Sequence, residues 1–279
     1  MSALSRWFSR IADRALTRHD AVSSIGQMAR ERFRIELLRE PRYGDPARLC
    51  RFEHQVFSQG GEDGILREIF RRVGETDRVF VELGVGDGFE NNTLFLLSHG
   101  WSGVWLDGNR AGCASIRKNC AREIADGRLD LVEAAATAEN IVSLLPERIR
   151  TAGFDLLSID LDRNTYHVWA ALEDLAPRVV VVEYNAMYPA DLAWIAEYDP
   201  GKWWNGSSYY GASLKALEIL GARMGYALVG CDIAGVNAFF VRSDLCADRF
   251  RAPFTAENHF EPMRYYLHSR VGHPRALHD

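Results

Sequence analysis

The chain is poor in cysteine. Its five thiols (Cys50, Cys113, Cys120, Cys231 and Cys246) are an odd number in 279 residues, widely spaced and without a C-x-x-C pair. That pattern excludes a disulfide framework and a zinc knuckle, and a reducing cytoplasm is the simplest home for it. No apolar run approaches the ~20 residues of a membrane span, and no signal-peptide hydrophobic region is visible. Positive charge is not in excess either: the net charge of −5 argues against a general nucleic-acid binder. What is present, 47% hydrophobic and 25% charged residues, is the composition of a soluble globular protein with room for one large α/β domain and additions.

Charge is uneven along the chain. Residues 1–42 carry nine Arg against five acids, and Arg6, Arg10, Arg14 and Arg18 recur every fourth residue while Leu4, Trp7, Phe8, Ile11 and Ala15 fall on another side of the same helix. The pattern predicts a basic amphipathic helix over Leu4–Arg18. Two partners suit it: an anionic membrane surface, or the protein's own core or a second subunit. A second Arg-rich helix is expected over about Ala21–Leu38, and Pro41, Gly44 and Pro46 then mark a connection. The organisation expected is a helical extension over 1–46, a catalytic domain over 47–250 and a polar tail over 251–279.

The domain is organised around Val79–Gly88, where a short apolar run ends in an acid and three alternating glycines, E-x-G-x-G-x-G. A first sheet strand turning into a helix through glycines can bring backbone N–H groups against a nucleotide-like cofactor. The dinucleotide fingerprint G-x-G-x-x-G has a different spacing. Just upstream, Phe57–Gly64, including Gln59, reads as a polar loop able to fold over a cofactor, or as a helix start with first-turn acids. Glu90, Asn91, Asn92 and Thr93 open the helix expected after the glycines, with N–H groups free to face a ligand. The second strand, Ser102–Asn109, ends in Asp107, nineteen residues beyond Gly88 and suited to accept from both ribose hydroxyls. After one helix over Ala111–Ala125, a third strand over Leu129–Ala136 is expected to end beside an adenine ring.

The fourth strand, Phe154–Asp160, and the fifth, Val179–Asn185, both finish in polar residues, so Asp160, Asp162, Glu183 and Asn185 share the carboxyl edge of the sheet. Such hard oxygen donors suit Mg²⁺ or another divalent ion, with helix capping and water binding as the alternative. An irregular aromatic stretch over 186–208 can line an acceptor pocket or cover the core. A helix is expected from Tyr209 through Leu220. Tyr226–Cys231 and Asn237–Val241 then form a closing hairpin around a turn at Asp232–Gly235, and no trusted ligand spacing occurs in the tail.

From about Ser58 to Val241 the order of motifs resembles the class I S-adenosylmethionine (SAM) methyltransferases, and more narrowly the FkbM-like group: S-Q-x-G-E-D-G, V-E-x-G-V-x-D-G, W-x-G-x-W-x-D-G, S-I-D-x-D, V-V-x-E-Y-N, Y-Y-G-A-S-L and G-V-N-A-F-F-V. The resemblance implies a Rossmann-like sandwich on a mostly parallel seven-stranded sheet with a C-terminal antiparallel hairpin. It implies SAM bound by Gln59, Glu82, Gly84, Gly86, Gly88, Asn92, Asp107, Gly108, Ala135 and Asp160, with Glu82 interacting with the methionine portion. The expected reaction is O-methylation of a glycan or small metabolite, with a divalent ion at Asp160, Glu183 and Asn185, and with Asp162 or His167 as general base. The family motif D-x-D-G-N-D-Y-W is altered here: Arg163 replaces its glycine, Thr165 its third acid and His167 its Trp. Two other classes stay open: a metal-dependent glycosyltransferase using Asp160-Leu161-Asp162, and a non-catalytic scaffold on the same fold.

Overall fold

The computed structural model describes residues 24–268 and 275–278. The chain divides into two compact units, Met1–Gly44 and Asp45–Asp279. The basic helix expected over Leu4–Arg18, and the membrane contact assigned to it, lie outside the described residues. Within the second expected stretch, 24–38 is helical and a short turn of helix follows at Pro41–Gly44. Among the described residues no helix is long and apolar enough to cross a membrane.

The larger unit is built on one seven-stranded sheet: β1 (Val79–Leu83), β2 (Ser102–Asp107), β3 (Leu129–Glu133), β4 (Leu156–Ile159), β5 (Val179–Glu183), β6 (Tyr226–Cys231) and β7 (Asn237–Arg242), in the spatial order β3-β2-β1-β4-β5-β7-β6. The pairs from β3 to β5 are parallel, and β7 lies antiparallel to both β5 and β6. This is the Rossmann-like methyltransferase arrangement that the sequence predicts, closing hairpin included. The strands read as nearly continuous apolar runs because both faces of the sheet are covered. Their side chains alternate between two cores. Val81, Leu83, Val104, Leu106, Val180 and Val182 enter one, while Phe80, Trp105, Leu156, Val179, Val181 and Phe239 enter the other.

Helix α1 (Glu62–Val73) precedes β1, and α2 (Leu94–Ser98) follows the glycine turn with only five residues. The longer helix expected from Glu90 does not form because Asn91, Asn92 and Thr93 all donate to Glu82 instead. The helix expected over Ala111–Ala125 is two, α3 (Arg110–Asn119) and a short one at Ala121–Ala125, with a break at Cys120. Strand β3 stops at Glu133, three residues early. There Asn140 takes over, its Oδ1 accepting from the Thr137 N–H at 2.8 Å and its Nδ2 donating to the Ala135 carbonyl at 2.9 Å, which bends the chain into a loop. After β4 comes α4 (Thr165–Ala170). The last long helix, α5 (Leu214–Arg223), starts at its Ser213 cap, whose Oγ accepts from the Ala216 N–H, so Tyr209–Ala212 precede the helix rather than opening it.

The tail is not a loose appendage. Tyr184 Oη donates to the Glu261 carbonyl at 2.6 Å, and Arg264 donates from its backbone N–H to the Ala234 carbonyl and from Nη1 to the Ile233 carbonyl, both at 2.7 Å. A side chain at Gly235 (φ +76°) would lie 2.5 Å from the Pro262 carbonyl, so the tail fits against a turn that only glycine makes room for.

Candidate functional site

Strand β1 delivers the chain into the glycine turn, and geometry explains two of its glycines. Gly84 has φ +79°, and a Cβ there would lie 1.7 Å from the Asp160 carbonyl, so the ends of β1 and β4 could not pack with any side chain between them. Gly86 is different: it has φ +58°, and a Cβ would meet nothing within 4 Å, so its backbone faces open space where a ligand can approach.

Glu82, the acid that precedes the turn, is buried and accepts five hydrogen bonds: from Asn91 Nδ2 and the Asn92 N–H at 2.8 Å, from the Thr93 N–H at 3.1 Å and Thr93 Oγ1 at 2.5 Å, and from Ser158 Oγ at 3.1 Å. Burial pushes its pKa up while these donors pull it down, and the balance is a raised value. Its structural role is to tether the 91–93 segment to the sheet. Asn92 adds a second tie, Nδ2 to Ser158 Oγ at 3.1 Å. Asp107, at the end of β2, accepts from the Gly86 N–H at 2.8 Å on one oxygen and from the Asn109 N–H at 2.6 Å on the other. Each oxygen can accept a further bond. Gly108 sits so close to Ala135 that a Cβ would come within 3.3 Å of its Cα, which locates Ala135 in the loop after β3.

Upstream, the Ser58–Asp63 loop is fixed by its own acids. Asp63 Oδ2 accepts from the N–H groups of Val56, Phe57 and Ser58 at 2.7–3.0 Å. Glu62 accepts from the Gly60 N–H and from Asn237 Nδ2 at the start of β7. The acids sit in the first turn of the helix and hold the loop before it, and Gln59 lines two cavities.

Three cavities meet at the carboxyl edge of the sheet. The first, of about 580 Å³, runs from Gln59 past Glu82, Gly84 and Gly86 to Asp160. The second, of about 560 Å³, continues from Gly84 and Gly86 to Asp107, Gly108 and the acids Asp160 and Asp162, with Trp203 at its edge. A third, of about 310 Å³, is bounded by Asp162 and Glu183 on one side and by Trp204, Tyr210, Tyr265 and His268 on the other. Asp160 belongs to the first two and Asp162 to the last two, so the acids lie where the cavities join.

Asp160, Asp162 and Glu183 bring ligand oxygens within 4.8 Å of one another. Asp162 is held by a backbone at φ +50°, a conformation rarely adopted by a side chain-bearing residue. All three carboxyls are harder to ionise than usual. Desolvation, then the charges of Asp162 and Glu82, push Asp160 up to about 7. Desolvation followed by Asp160 and Asp162 drives Glu183 well above the ordinary range, and desolvation raises Asp162. Asp160 raises the pKa of Glu183, and of the two Glu183 is raised the more strongly. Glu183 Oε2 is buried with no hydrogen-bond partner among the described residues. Hard oxygens at this spacing, one of them unsatisfied, are what a divalent cation requires.

Two residues expected in the site do other work. Asn185 is fully buried; its Nδ2 donates to the carbonyls of Ser208 and Tyr210 at 2.9 and 3.0 Å, and its Oδ1 accepts from the Met187 N–H at 3.2 Å. His167 Nε2 lies 2.9 Å from the Ala196 carbonyl, so that nitrogen carries a proton and donates it. The ring packs 5.0 Å from that of Tyr198. Both residues pin the aromatic segment 186–210 whose Trp203, Trp204 and Tyr210 reach the cavities. The sequence flagged that segment by its aromatics, but Tyr265 and His268 in the tail carried no local signal.

Among solved structures, the chain is similar to magnesium protoporphyrin IX methyltransferase ChlM from Synechocystis PCC 6803 with bound SAM (12% identity, covering 59% of this chain and 69% of that one, TM-score 0.39). It is also similar to an O-methyltransferase from Bacillus cereus in complex with SAH (18% identity, 63% and 76% covered, TM-score 0.41). A third is the glycopeptide N-methyltransferase MtfA complexed with sinefungin (17% identity, 68% and 88% covered, TM-score 0.40). No family model and no curated protein matches the sequence.

Proposed function

We propose that the chain is a SAM-dependent methyltransferase acting on a hydroxyl of a small-molecule or glycan acceptor, with a divalent ion such as Mg²⁺ held by Asp160, Asp162 and Glu183. The observation that carries this reading is the position of Asp160, which borders both cavities on the glycine turn and stands beside the acids that open the aromatic third cavity. The residues fit both absent groups. Gly86 leaves space where a Cβ would project, and Asp107 keeps acceptor capacity for ribose hydroxyls. For the ion, three hard acids converge and Glu183 Oε2 has no hydrogen-bond partner among the described residues.

When bound, SAM supplies an electrophilic methyl group and the ion supplies Lewis acidity toward a hydroxyl oxygen. The rest of the work belongs to the chain. Asp107 fixes the Gly86 N–H, so the turn is shaped before a ligand arrives. Asp162 is the base in this reading, through the carboxylate oxygen that the ion leaves free, because it lines the cavities on both sides. His167 is given no part in this reading, because it lines none of these three cavities and its Nε2 is tied to the Ala196 carbonyl. Alignment of two bound reactants can supply about 7–11 kcal/mol, whereas a base contributes typically about 10²–10⁴-fold, so positioning dominates.

Calorimetry with SAM and with UDP-glucose, each with and without Mg²⁺, tests the reading. Binding of SAM at one site per chain is expected. Binding of UDP-glucose without binding of SAM would overturn it in favour of sugar transfer through Asp160-Leu161-Asp162.

A further inference from the structure

We propose that the C-terminal segment, through Tyr265 and His268, forms the acceptor-recognising wall of the third cavity and makes it selective for small uncharged, hydroxyl-bearing rings over anionic ones. The proposal rests on the methyl-transfer reading for the location of the reaction, but its observations are separate.

At about 310 Å³ the cavity is near the lower end of small-molecule sites, which run from about 300 to 1,000 Å³, so it suits a single ring. Trp204, Tyr210 and Tyr265 give it aromatic surfaces. The hydroxyls of Tyr210 and Tyr265 are 2.7 Å apart. One proton lies between them and the other O–H remains to be donated, while both oxygens can still accept. His268 Nε2 is buried with no partner among the described residues, and desolvation lowers the pKa of the ring, so it offers a hydrogen bond without a charge. The wall is firm: Glu261 and Arg264, a few residues before these two, are bonded to Tyr184 and to the hairpin turn.

Charge supplies the selectivity. Two acids, Asp162 and Glu183, border the cavity, and neither Lys nor Arg is among the described residues lining it. An anionic acceptor would have to give up its water there with no guanidinium or ammonium to pair with, which is strongly unfavourable. A bound divalent ion would offset the acids' own charge rather than make the pocket cationic.

Catechol and 3,4-dihydroxybenzoate share a ring and a vicinal hydroxyl pair and differ by one carboxylate, which makes them a matched pair of probes. Saturation-transfer NMR on the full chain with saturating S-adenosylhomocysteine and Mg²⁺ should show catechol bound and the benzoate at least about tenfold weaker. Tyr265→Ala and His268→Ala should each reduce the catechol signal, and Tyr265→Phe should retain more of it than Tyr265→Ala. Thermal melting and SAM calorimetry on the same variants identify any that fail to fold, and His268→Ala, which removes a side chain whose Nε2 has no partner among the described residues, stands as the second variant. Three results would overturn the proposal: no catechol binding by the wild type, equal binding of the two probes, or catechol binding unchanged in both Tyr265→Ala and His268→Ala. Loss of SAM binding by the wild type would instead sink the methyl-transfer reading, whatever the probes do.

Discussion

Two aspartates bracket β4 and live in opposite worlds. Asp155, just before the strand, is fully buried and accepts from the Thr76 N–H and Oγ1, the Asp77 N–H and the Arg78 N–H at 2.7–3.0 Å, with the Arg178 guanidinium 3.7 Å away. Asp160, just after it, faces Asp162, Glu183 and Glu82, and its pKa is pushed up to about 7. The same residue type is thus a fastening at one edge of the sheet and a crowded acid at the other. Charge that is matched by donors stabilises a fold, whereas acids crowded together without donors raise one another's pKa and cost stability.

The comparison can be broken most directly by substitution. Asp155→Ala strands a set of buried donors and a nearby guanidinium, and should cost about 3–5 kcal/mol in urea unfolding. Asp160→Asn relieves repulsion and should leave stability unchanged or higher, while abolishing Mn²⁺ binding in a calorimetric titration. Equal destabilisation by the two changes would mean that the two ends of β4 do not differ in kind.

The pH dependence sharpens the same contrast. A carboxyl whose pKa is higher folded than unfolded binds more protons in the folded chain between the two values, so folding stability falls as pH rises through that window. For Asp160 the window runs from its ordinary 3.8 to about 7. Wild type should therefore lose melting temperature across it relative to Asp160→Asn, and Mg²⁺ should restore more at the alkaline end than at the acid end. Curves that stay parallel throughout would remove Asp160 from the titration.

Asp107 stands between the two cases, with one backbone donor on each oxygen and room for more. Asp107→Ala removes charge-assisted bonds of about 1.5–3 kcal/mol, so SAM affinity should fall roughly 10- to 150-fold by calorimetry. An unchanged affinity would show that the acid shapes the turn without touching a ligand.

How much of this was legible in the sequence depends on how local each signal is. The strands are legible as apolar runs, their arrangement in the sheet came with the family resemblance, and Asp160, Asp162 and Glu183 could be placed together because parallel strands end at one edge. Boundaries were misjudged where a side chain captured backbone donors: Glu82 holds the segment after the glycines out of a helix, and Asn140 ends β3 early. The hydrogen bonds of Asn185 and His167 were not legible because residue type and strand position do not reveal which carbonyl a side chain will meet 23 or 29 residues away; their partners at Ser208 and Ala196 belong to an irregular loop. Tyr265 reaches the third cavity only because the tail folds back on the hairpin turn, through contacts such as Tyr184 to Glu261 that span 77 residues and leave no periodic trace.

His167 gives the smallest and most discriminating effect. If it belongs with Asp155 on the fastening side, its contribution is one hydrogen bond to Ala196 and ring contact with Tyr198. His167→Gln, which can keep a donor near that carbonyl, should then cost about 1 kcal/mol of stability or less. It should leave SAM affinity within about twofold, since no ligand contact is lost. A general base removed from the reaction would cost about 10²–10⁴-fold in turnover instead, with loss of the corresponding limb of the pH–rate profile. The two outcomes differ by at least an order of magnitude, so a single variant, measured for melting and for turnover on any acceptor that the wild type methylates, decides on which side of the comparison the residue falls.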